Sequence, residues 1–404
     1  MNRISPDRLT TAERRIGIGL AAIFGLRMLG LFLILPVFAL HAGDIKGGDN
    51  LLLVGLALGA YGGTQACLQI VWGAASDRLG RKPVIIAGLL LFALGSFMAA
   101  LAPDMYWMIA GRVIQGAGAI SAAVTALAAD LTREECRARM MGMIGASIGL
   151  VFAVSMVAAP LLFNWIGMRG IFWLTGFLAL AAIAVLIRVV PVAPPPIPGP
   201  PVAIAAVLRE PQLMRLNFGV FVLHLTQMAL WVLAPTLLVE AGHLPGGAHW
   251  QVYLPAVLIS FALMTPAVIA AERKRRMKHV FIGAIVLLAV VLAGFRLAGD
   301  SLATLFLWIT LFFVAFNVLE AIQPSLISRI APPHAKGKAL GVYNTLQALG
   351  LFAGGIVGGA LAERLGNGAV FIFCALAVML WLTLACGIHP PPPRSAPPLQ
   401  NATA

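Results

Sequence analysis

An acidic residue inside an apolar segment is the feature of this chain with the clearest potential for chemistry. Glu320 shares one helical face with Asn317 and Pro324, at spacings i, i+3 and i+7. A carboxyl group removed from water favours its protonated form, so it can load or release a proton when its exposure changes. Glu320 is therefore the predicted proton carrier. The alternative is a structural acid, fixed in an ion pair with Arg27 or another group.

Three further ionisable side chains lie in apolar segments: Arg27, Arg112 and His224. A charge at the centre of a bilayer costs about 2.5–3.5 kcal/mol on insertion scales, so these side chains should face the interior of a helical bundle. Arg27 fits a polar network, either as a tether or as a substrate contact. His224 could titrate near neutral pH, although a structural hydrogen-bond donor is the favoured interpretation. With Glu320, these residues form the predicted proton-coupling set.

Polar and aromatic side chains recur on single faces of other apolar segments. Such groups could converge on an amphipathic ligand. The alternative is hydrogen bonding between helices, worth about 0.6 kcal/mol per pair, and for any single residue it is favoured. The predicted substrate-cavity residues are Gln65, Gln115, Gln227, Trp231, Asn317, Tyr343 and Gln347. Glycines at four-residue spacing predict close helix packing and could also permit sliding; they are Gly55, Gly59, Gly63, Gly350, Gly354 and Gly358.

Several other kinds of chemistry lack their motifs. The sequence holds no ATP-binding P-loop and no His-Glu-x-x-His metal motif, and the four cysteines have no metal-site spacing. We therefore expect no enzyme activity, no cofactor and no metal. The net charge of +13 could suggest nucleic acid, but the basic residues lie in short gaps between apolar segments. Membrane orientation explains this charge better, so no nucleic-acid partner is expected.

The elements that must position these residues are membrane-spanning helices. The chain of 404 residues is 60% hydrophobic and only 11% charged, so most of it must be surrounded by lipid. A transmembrane helix needs about 20 apolar residues. The sequence predicts twelve spans, numbered in order: 16–41, 51–75, 83–102, 105–129, 139–164, 169–190, 213–239, 250–271, 279–298, 302–327, 338–362 and 368–388.

Basic residues predict the orientation of these spans. The termini and the loops after even-numbered spans hold 22 of the 28 Lys and Arg residues, whereas the loops after odd-numbered spans hold four. The positive-inside rule then places both termini in the cytoplasm, in the cell (inner) membrane.

The chain divides near its middle. A Pro-rich run predicts a cytoplasmic linker at 191–212, between bundles at 1–190 and 213–389, and a Pro-rich disordered tail at 390–404. Residues 75–84 align with 271–280, an offset near half the chain. The predicted fold is an all-α polytopic membrane protein, with two six-helix bundles related by pseudo-two-fold symmetry.

Two motifs carry a family resemblance. The segment from Gly73 to Pro83, with Gly73, Asp77, Arg78, Gly80 and Arg81, closely resembles the signature loop of the major facilitator superfamily. The segment Gly111–Ala119, with Arg112 and Gln115, is similar to that superfamily's second motif. Residues 26–30, Pro36, 217–219, 316–317, Glu320 and Pro324 resemble the YajR-type drug–proton antiporters. Some of those carry an extra soluble C-terminal domain, which this chain is expected to lack.

The resemblance implies roles for the signature loop. It implies that Asp77 faces the start of span 11 and that Arg81 pairs with Asp130 at the end of span 4. Together with Gly73, Arg78 and Gly80, these residues would latch the two halves in an outward-facing state. The alternative is a basic loop that only enforces topology, and for Arg78 it is equally favoured.

The resemblance also implies a central cavity and a transport function. It places spans 1, 4, 7 and 10 around the cavity, which would then hold Arg27, Arg112 and Glu320. For Arg112 it implies proton relay or anion contact; the alternative, equally favoured, is a packing tether to Gln115. The predicted function is proton-coupled efflux of small amphipathic compounds by a monomer. Proton-coupled import of a specific neutral or anionic metabolite is the second hypothesis, and a non-transporting sensor or embedded enzyme is the least favoured.

Overall fold

The part of the chain that the structure describes is almost entirely α-helical. The computed structural model describes residues 9–118, 120–133, 136–192, 207–273, 276–296, 301–332 and 336–389. The predicted tail and most of the predicted linker lie outside these residues. The helices are α1 (Thr11–Phe32), α2 (Leu35–His41), α3 (Leu51–Leu79), α4 (Arg81–Ala100), α5 (Met105–Ala117), α6 (Ser121–Asp130), α7 (Arg137–Val189), α8 (Pro211–Glu240), α9 (Trp250–Arg273), α10 (Met277–Arg296), α11 (Leu302–Ile330), α12 (Lys336–Leu365) and α13 (Asn367–Cys386).

The helical segments are long enough for twelve membrane crossings. Within the described ranges, eleven segments are long and apolar enough to span a membrane. One of them, 139–189, has 51 residues, about twice what one crossing needs. Its backbone leaves helical geometry at Gly167, where φ is +64°. This segment therefore supplies spans 5 and 6, as the sequence predicts.

Short polar side chains and glycines set the helix boundaries. The Asn50 side chain accepts a hydrogen bond from the Leu53 amide (3.1 Å) at the start of α3. Asp104 does the same for the Trp107 amide (3.0 Å) at the start of α5. Gly80 has φ +90°, which lets the chain pass from α3 to α4 through one residue. The turn within the signature loop therefore consists of one residue, Gly80.

Two spans that the sequence predicts as continuous each consist of two helices. Span 1 is interrupted between Phe32 and Leu35, where Pro36 occupies the first turn of α2, a position that suits proline. Span 4 is interrupted at Gly118. A Cβ atom at Gly118 would clash with the Gly88 carbonyl oxygen of α4, so the break coincides with a close approach of two backbones.

The spans form two halves with a shared apolar core. Spans 1–6 pack on one another and spans 7–12 do the same, while the halves meet mainly through α3 with α12, α2 with α8, and α7 with α9. The largest core cluster includes Phe38 and Val54 of the N-terminal half and Leu225 of the C-terminal half. A second cluster, around Leu20 and Ile85, lies within the N-terminal half alone. Apolar packing therefore joins the halves only over part of their length.

The halves are in backbone contact at one end of the bundle. We call the end with Gly167 and Gly366 the far end, and the end with Thr11 and Gly80 the terminal end. The seam consists of residues 51–63 of α3 and 348–359 of α12. A Cβ atom on Gly55 would clash with the carbonyl oxygen of Gly355, so only glycine fits there. The seam closes the far end.

The same two helices separate toward the terminal end. Ile70 and Ala74 continue the face of α3 that holds Gly59 and Gly63, yet both are exposed, Ile70 to 46%. On α12, a Cβ atom at Gly341 would meet nothing within 4 Å. We call this space between the halves the central opening. The structure is thus closed at the far end and open at the terminal end.

Candidate functional site

A polar cluster in the C-terminal half joins three spans. The Gln347 amide nitrogen donates to Glu320 Oε1 at 3.3 Å and lies 2.7 Å from His224 Nε2. His224 Nε2 lies 3.6 Å from Glu320 Oε2. Spans 7, 10 and 11 each contribute one of these side chains, so the sequence-predicted residues Glu320, His224 and Gln347 form one site. We call it the proton cluster.

The tautomer of His224 follows from its hydrogen bonds. His224 Nδ1 lies 3.0 Å from the Val220 carbonyl oxygen, which can only accept, so Nδ1 carries a hydrogen. In the neutral ring Nε2 is then an acceptor, matched to the Gln347 amide donor. A protonated ring would instead present Nε2–H toward Glu320. In the neutral state Gln347 therefore donates to both His224 and Glu320, whereas protonation of the ring would end its hydrogen bond to Nε2.

The proton cluster lies where the central opening meets the seam. Gln347 directly precedes Ala348, and a Cβ atom on Gly62 of the other half would lie 2.6 Å from the Ala348 carbonyl oxygen. The Glu320 side chain is 36% exposed, whereas that of His224 is only 4% exposed. The Glu320 side chain is thus more accessible to the surroundings than that of His224.

Two of the other predicted cavity residues bind their own half. Asn317 donates its amide hydrogen to Ser260 Oγ at 2.8 Å, which ties span 10 to span 8. Trp231 is buried, with its ring centroid 5.4 Å from that of Tyr253 and 6.2 Å from that of Phe313. Both contacts match the structural alternative, in which polar and aromatic groups join helices.

Tyr343 and Gln227 are the other predicted cavity residues of the C-terminal half. Tyr343 is buried one helical turn before Gln347, and its hydroxyl has no hydrogen-bond partner among the described residues. Gln227 is half-buried on α8, three residues after His224. The Tyr343 hydroxyl is therefore a buried polar group beside the proton cluster, without a partner among the described residues.

Arg27 lies inside the N-terminal half. Its side chain is fully buried, and its guanidinium donates to the hydroxyl of Tyr61 and to Ser121 Oγ (3.2 Å). It also lies over the Phe92 ring, 5.5 Å from the centroid. Four spans of one half thus surround this charge.

Arg112 is held within the same half. It is 1% exposed and donates to the carbonyl oxygens of Ala57 (3.0 Å) and Leu58 (3.4 Å), and to the side chain of Gln115. Gln115 in turn donates to Ser96 Oγ at 2.8 Å. The contact between Arg112 and Gln115 is the packing tether that the sequence offered as an alternative.

These positions correct one expectation. Arg27, Arg112 and Gln115 were expected to line the central cavity, but each is almost completely buried inside the N-terminal half. Tyr61 explains the difference for the arginines, because its ring lies near both guanidinium groups and its hydroxyl accepts a hydrogen bond from Arg27. In this conformation, neither arginine reaches the central opening.

Replacing Arg112 with lysine is expected to destabilise the protein. A lysine ammonium cannot reach the three acceptors that the planar guanidinium joins, and each lost hydrogen bond to a charged group costs about 1.5–3 kcal/mol. The melting temperature of the purified protein in detergent should fall by several degrees. The matched control is Arg78→Lys at an exposed position. Equal melting temperatures for the two variants would contradict this role of Arg112.

The polar face of span 2 also turns into its own half. Trp72 Nε1 donates to the Ala117 carbonyl oxygen at 2.6 Å, and Gln69 is buried. Gln65 is half-buried and donates to Gln69 Oε1 at 3.4 Å.

Arg81 is the centre of the signature loop. Its Nε donates to Asp130 Oδ2 at 2.8 Å, and its Nη1 donates to Ser76 Oγ at 2.7 Å and to the Asp77 carboxylate. The pairing of Arg81 with Asp130 that the resemblance implies is therefore present. It ties the start of span 3 to the end of span 4 within one half.

The rest of the signature loop faces outward. The Asp77 side chain is 62% exposed and Arg78 is exposed, while a Cβ atom on Gly73 would lie 3.7 Å from Ala122 of the same half. The described contacts of Asp77 are therefore within its own loop. This arrangement matches a terminal end that is open.

Two contacts in the structure could not be predicted from the sequence. Glu13 accepts two hydrogen bonds from the Arg133 guanidinium at 3.0 Å, which joins the start of span 1 to the loop after span 4. The sequence signal at Glu13 is only local, because Glu13 also completes a capping box with Thr10. Glu363 at the end of span 11 accepts from the backbone amide of Leu51. Separations of 120 and 312 residues leave no pattern in the sequence.

A separate cavity lies at the far end of the N-terminal half. Its volume is about 290 Å³, and its lining includes His41, Asp44 and Arg169. None of the predicted site residues lines it. Groups of three or more metal-ligating side chains are absent from the described ranges.

Comparison with known proteins decides the family. Residues 20–350 and 216–403 match the family model of the Major Facilitator Superfamily. The chain belongs to this superfamily. It is 42% identical to the inner membrane transport protein YajR of Escherichia coli (strain K12) over 390 residues, which cover 95% of this chain and 86% of YajR. A major facilitator protein is a transporter rather than an enzyme, so this chain is a multi-pass membrane transport protein.

More distant relatives were also found. The multidrug resistance protein MdtH of Sodalis glossinidius (strain morsitans) is 26% identical over 348 residues, covering 82% of this chain and 81% of MdtH. A bacterial homologue of the human lysosomal transporter Spinster, solved in an inward-facing and unoccupied conformation, matches with a TM-score of 0.73 at 13% identity. That match covers 94% of this chain and 98% of the other. It supports the major facilitator fold of two six-helix bundles.

Proposed function

We propose that this transporter exports small hydrophobic or amphipathic compounds in exchange for protons, by alternating access between its two halves. The observation that carries the proposal is the proton cluster. A carboxylate, an imidazole and an amide from three spans meet where the central opening ends at the seam. A group at this level is the one whose exposure changes most when the halves rock, so it can take a proton from one side and release it to the other.

The distribution of basic residues supports an orientation. The termini and the loops after even-numbered spans hold 22 of the 28 Lys and Arg residues, which favours a cytoplasmic location for the terminal end. The central opening then faces the cytoplasm, so the structure corresponds to the state that would accept a compound for export. Accessibility of a tag placed after residue 404, tested in intact cells and in everted vesicles, checks this orientation.

The charge around the opening favours neutral or cationic compounds. Arg27 and Arg112 are buried within the N-terminal half, so neither presents its positive charge to a compound at the inner limit of the opening. The ionisable group exposed at the inner limit of the opening is the Glu320 carboxyl. A cation and a proton can compete for this carboxylate, and such competition couples export of one to entry of the other.

Transport by the purified protein in liposomes tests the proposal. Liposomes with an acidic interior, loaded with a pH-sensitive dye, should lose part of their proton gradient when a transported compound is added outside. Compounds would first be chosen by comparing growth sensitivity of a deletion strain with that of a strain expressing the protein. The control is liposomes without protein.

The direction of coupling separates the two transport hypotheses. If export is coupled to proton entry, protons that move down their gradient should drive the compound in the opposite direction. Movement of compound and proton in the same direction would replace the exporter with a symporter. Failure of every compound to move protons, with the protein folded in the liposomes, would refute proton coupling.

A further inference from the structure

The signature loop has a shorter counterpart at the other end of the bundle. Helix α3 ends in Asp77-Arg-Leu-Gly80, and α12 ends in Glu363-Arg-Leu-Gly366. In both, an acidic residue lies two positions before the last helical residue, and the glycine that follows has a positive φ of +90° or +80°. The two helices that form the seam therefore carry the same acid–Arg–Leu–Gly ending at opposite ends of the bundle.

The second ending makes a contact between the halves. Glu363 Oε2 accepts a hydrogen bond of 2.8 Å from the backbone amide of Leu51, the first residue of α3. This amide has no partner within its helix, because the first amides of an α-helix lack a carbonyl oxygen in the preceding turn. The helix N-terminus also carries a partial positive charge that favours a carboxylate. Glu363 thus caps the N-terminus of α3, a helix of the opposite half.

This hydrogen bond is exposed, but close backbone packing lies next to it. One helical turn earlier on α12, a Cβ atom on Gly359 would clash with the carbonyl oxygen of Leu51. Asn50 already accepts from the Leu53 amide, so Glu363 serves an amide that the helix's own cap leaves unpaired. The contact exists only while α3 and α12 touch at the far end.

We propose that Glu363 is a positioning residue for alternating access, which stabilises the conformation that is closed at the far end. It is the counterpart of Asp77, for which family resemblance implies a contact with the start of α12 when the terminal end is closed. Each acid then caps the first turn of the partner helix in one of the two conformations. Asp77 is exposed while the Glu363 contact is made, as this exchange requires. The inference rests on the proposed rocking of the halves.

Distances between spin labels test the inference without a substrate. In a background with the four cysteines replaced by alanine, one label pair at Tyr106 and Leu302 reports on the far end, and another at Arg188 and Arg276 reports on the terminal end. Glu363→Ala should increase the population with a long far-end distance and a short terminal distance. A carboxylate at an exposed helix N-terminus contributes about 0.3–1 kcal/mol, so the population ratio should change by about two- to fivefold.

Conservative variants separate this role from a general structural one. Glu363→Asp keeps the charge and should restore part of the parent distribution, while Glu363→Gln keeps an acceptor without the charge and should shift less than alanine. Glu240→Gln, an exposed acid at the far end of α8, is the matched control and should shift nothing. Parent-like distances for Glu363→Ala at both ends would overturn the proposal.

The same data distinguish failure of the inference from failure of the proposed function. If Glu363→Ala lengthens the far-end distance and shortens the terminal distance but the parent protein moves no protons in liposomes, the proposed role of Glu363 is supported and proton coupling is refuted. If the parent protein couples compound and proton movement while Glu363→Ala leaves both distances unchanged, the proposed function is supported and the proposed role of Glu363 is refuted.

Discussion

Replacement of Glu320 with glutamine is expected to abolish proton-driven transport and to leave folding intact. Glutamine has nearly the same shape and can still bond to Gln347, but it cannot load or release a proton. His224 would then lack its only described carboxylate neighbour in the cluster. Compound-dependent proton movement should fall to the background of liposomes without protein.

Folding and binding must be measured beside transport in this variant. Glu320→Gln should elute as the parent does in size-exclusion chromatography and melt within a few degrees of it, because Glu320 is partly exposed and its loss buries no unpaired charge. Glu240→Gln is again the matched control and should transport normally. Normal proton-coupled transport by Glu320→Gln would remove Glu320 from the mechanism.

The members of the proton cluster could be named from the sequence, but their assembly could not. Glu320, His224 and Gln347 each stand out as polar groups in apolar segments, and the cost of burying them indicates that they face protein. Their meeting depends on the rotation and depth of three helices, with Gln347 lying 27 residues from Glu320 and 123 residues from His224 in the chain. Side-chain periodicity fixes a face within one helix and carries no information about the register between helices.

The arginines show a related limit. The cost of an intramembrane charge predicts correctly that Arg27 and Arg112 avoid lipid. It does not distinguish the interior of one half from the space between the halves. Tyr61 decides the matter inside the N-terminal half, since its ring lies near both arginines and its hydroxyl accepts a hydrogen bond from Arg27. Tyr61 shares a face with Gln65 in the sequence, but nothing there links it to an arginine.

The glycine patterns predicted close helix packing but did not indicate which helix each glycine face contacts. Gly55 and Gly59 of α3 meet α12 in the seam, as close packing predicts. On α12, however, the four-residue series Gly350, Gly354 and Gly358 packs on the backbone of α8, within the C-terminal half. The adjacent Gly355 and Gly359 form the seam instead. A helix with two glycine faces can hold its own half and touch the other at the same time.

A large side chain at Gly355 is expected to remove the conformation seen here. Any Cβ atom at this position would clash with the Gly55 carbonyl oxygen, and backbone atoms of two packed helices cannot move aside cheaply. Gly355→Leu should therefore force the far end apart and favour closure of the terminal end. The far-end label pair at Tyr106 and Leu302 should show a longer distance in nearly all molecules, a larger change than that expected for Glu363→Ala.

The matched control for this prediction lies on the same helix. A Cβ atom at Gly341 has open space around it, because the halves are apart at that level. Gly341→Leu should therefore keep the far end closed, and it should hinder closure of the terminal end if α3 and α12 approach there in the other conformation. Opposite shifts from two leucines on α12, fourteen residues apart, would show that the seam moves from one end of these helices to the other. Identical distance distributions for the two variants would mean that the halves do not rock about this pair of helices.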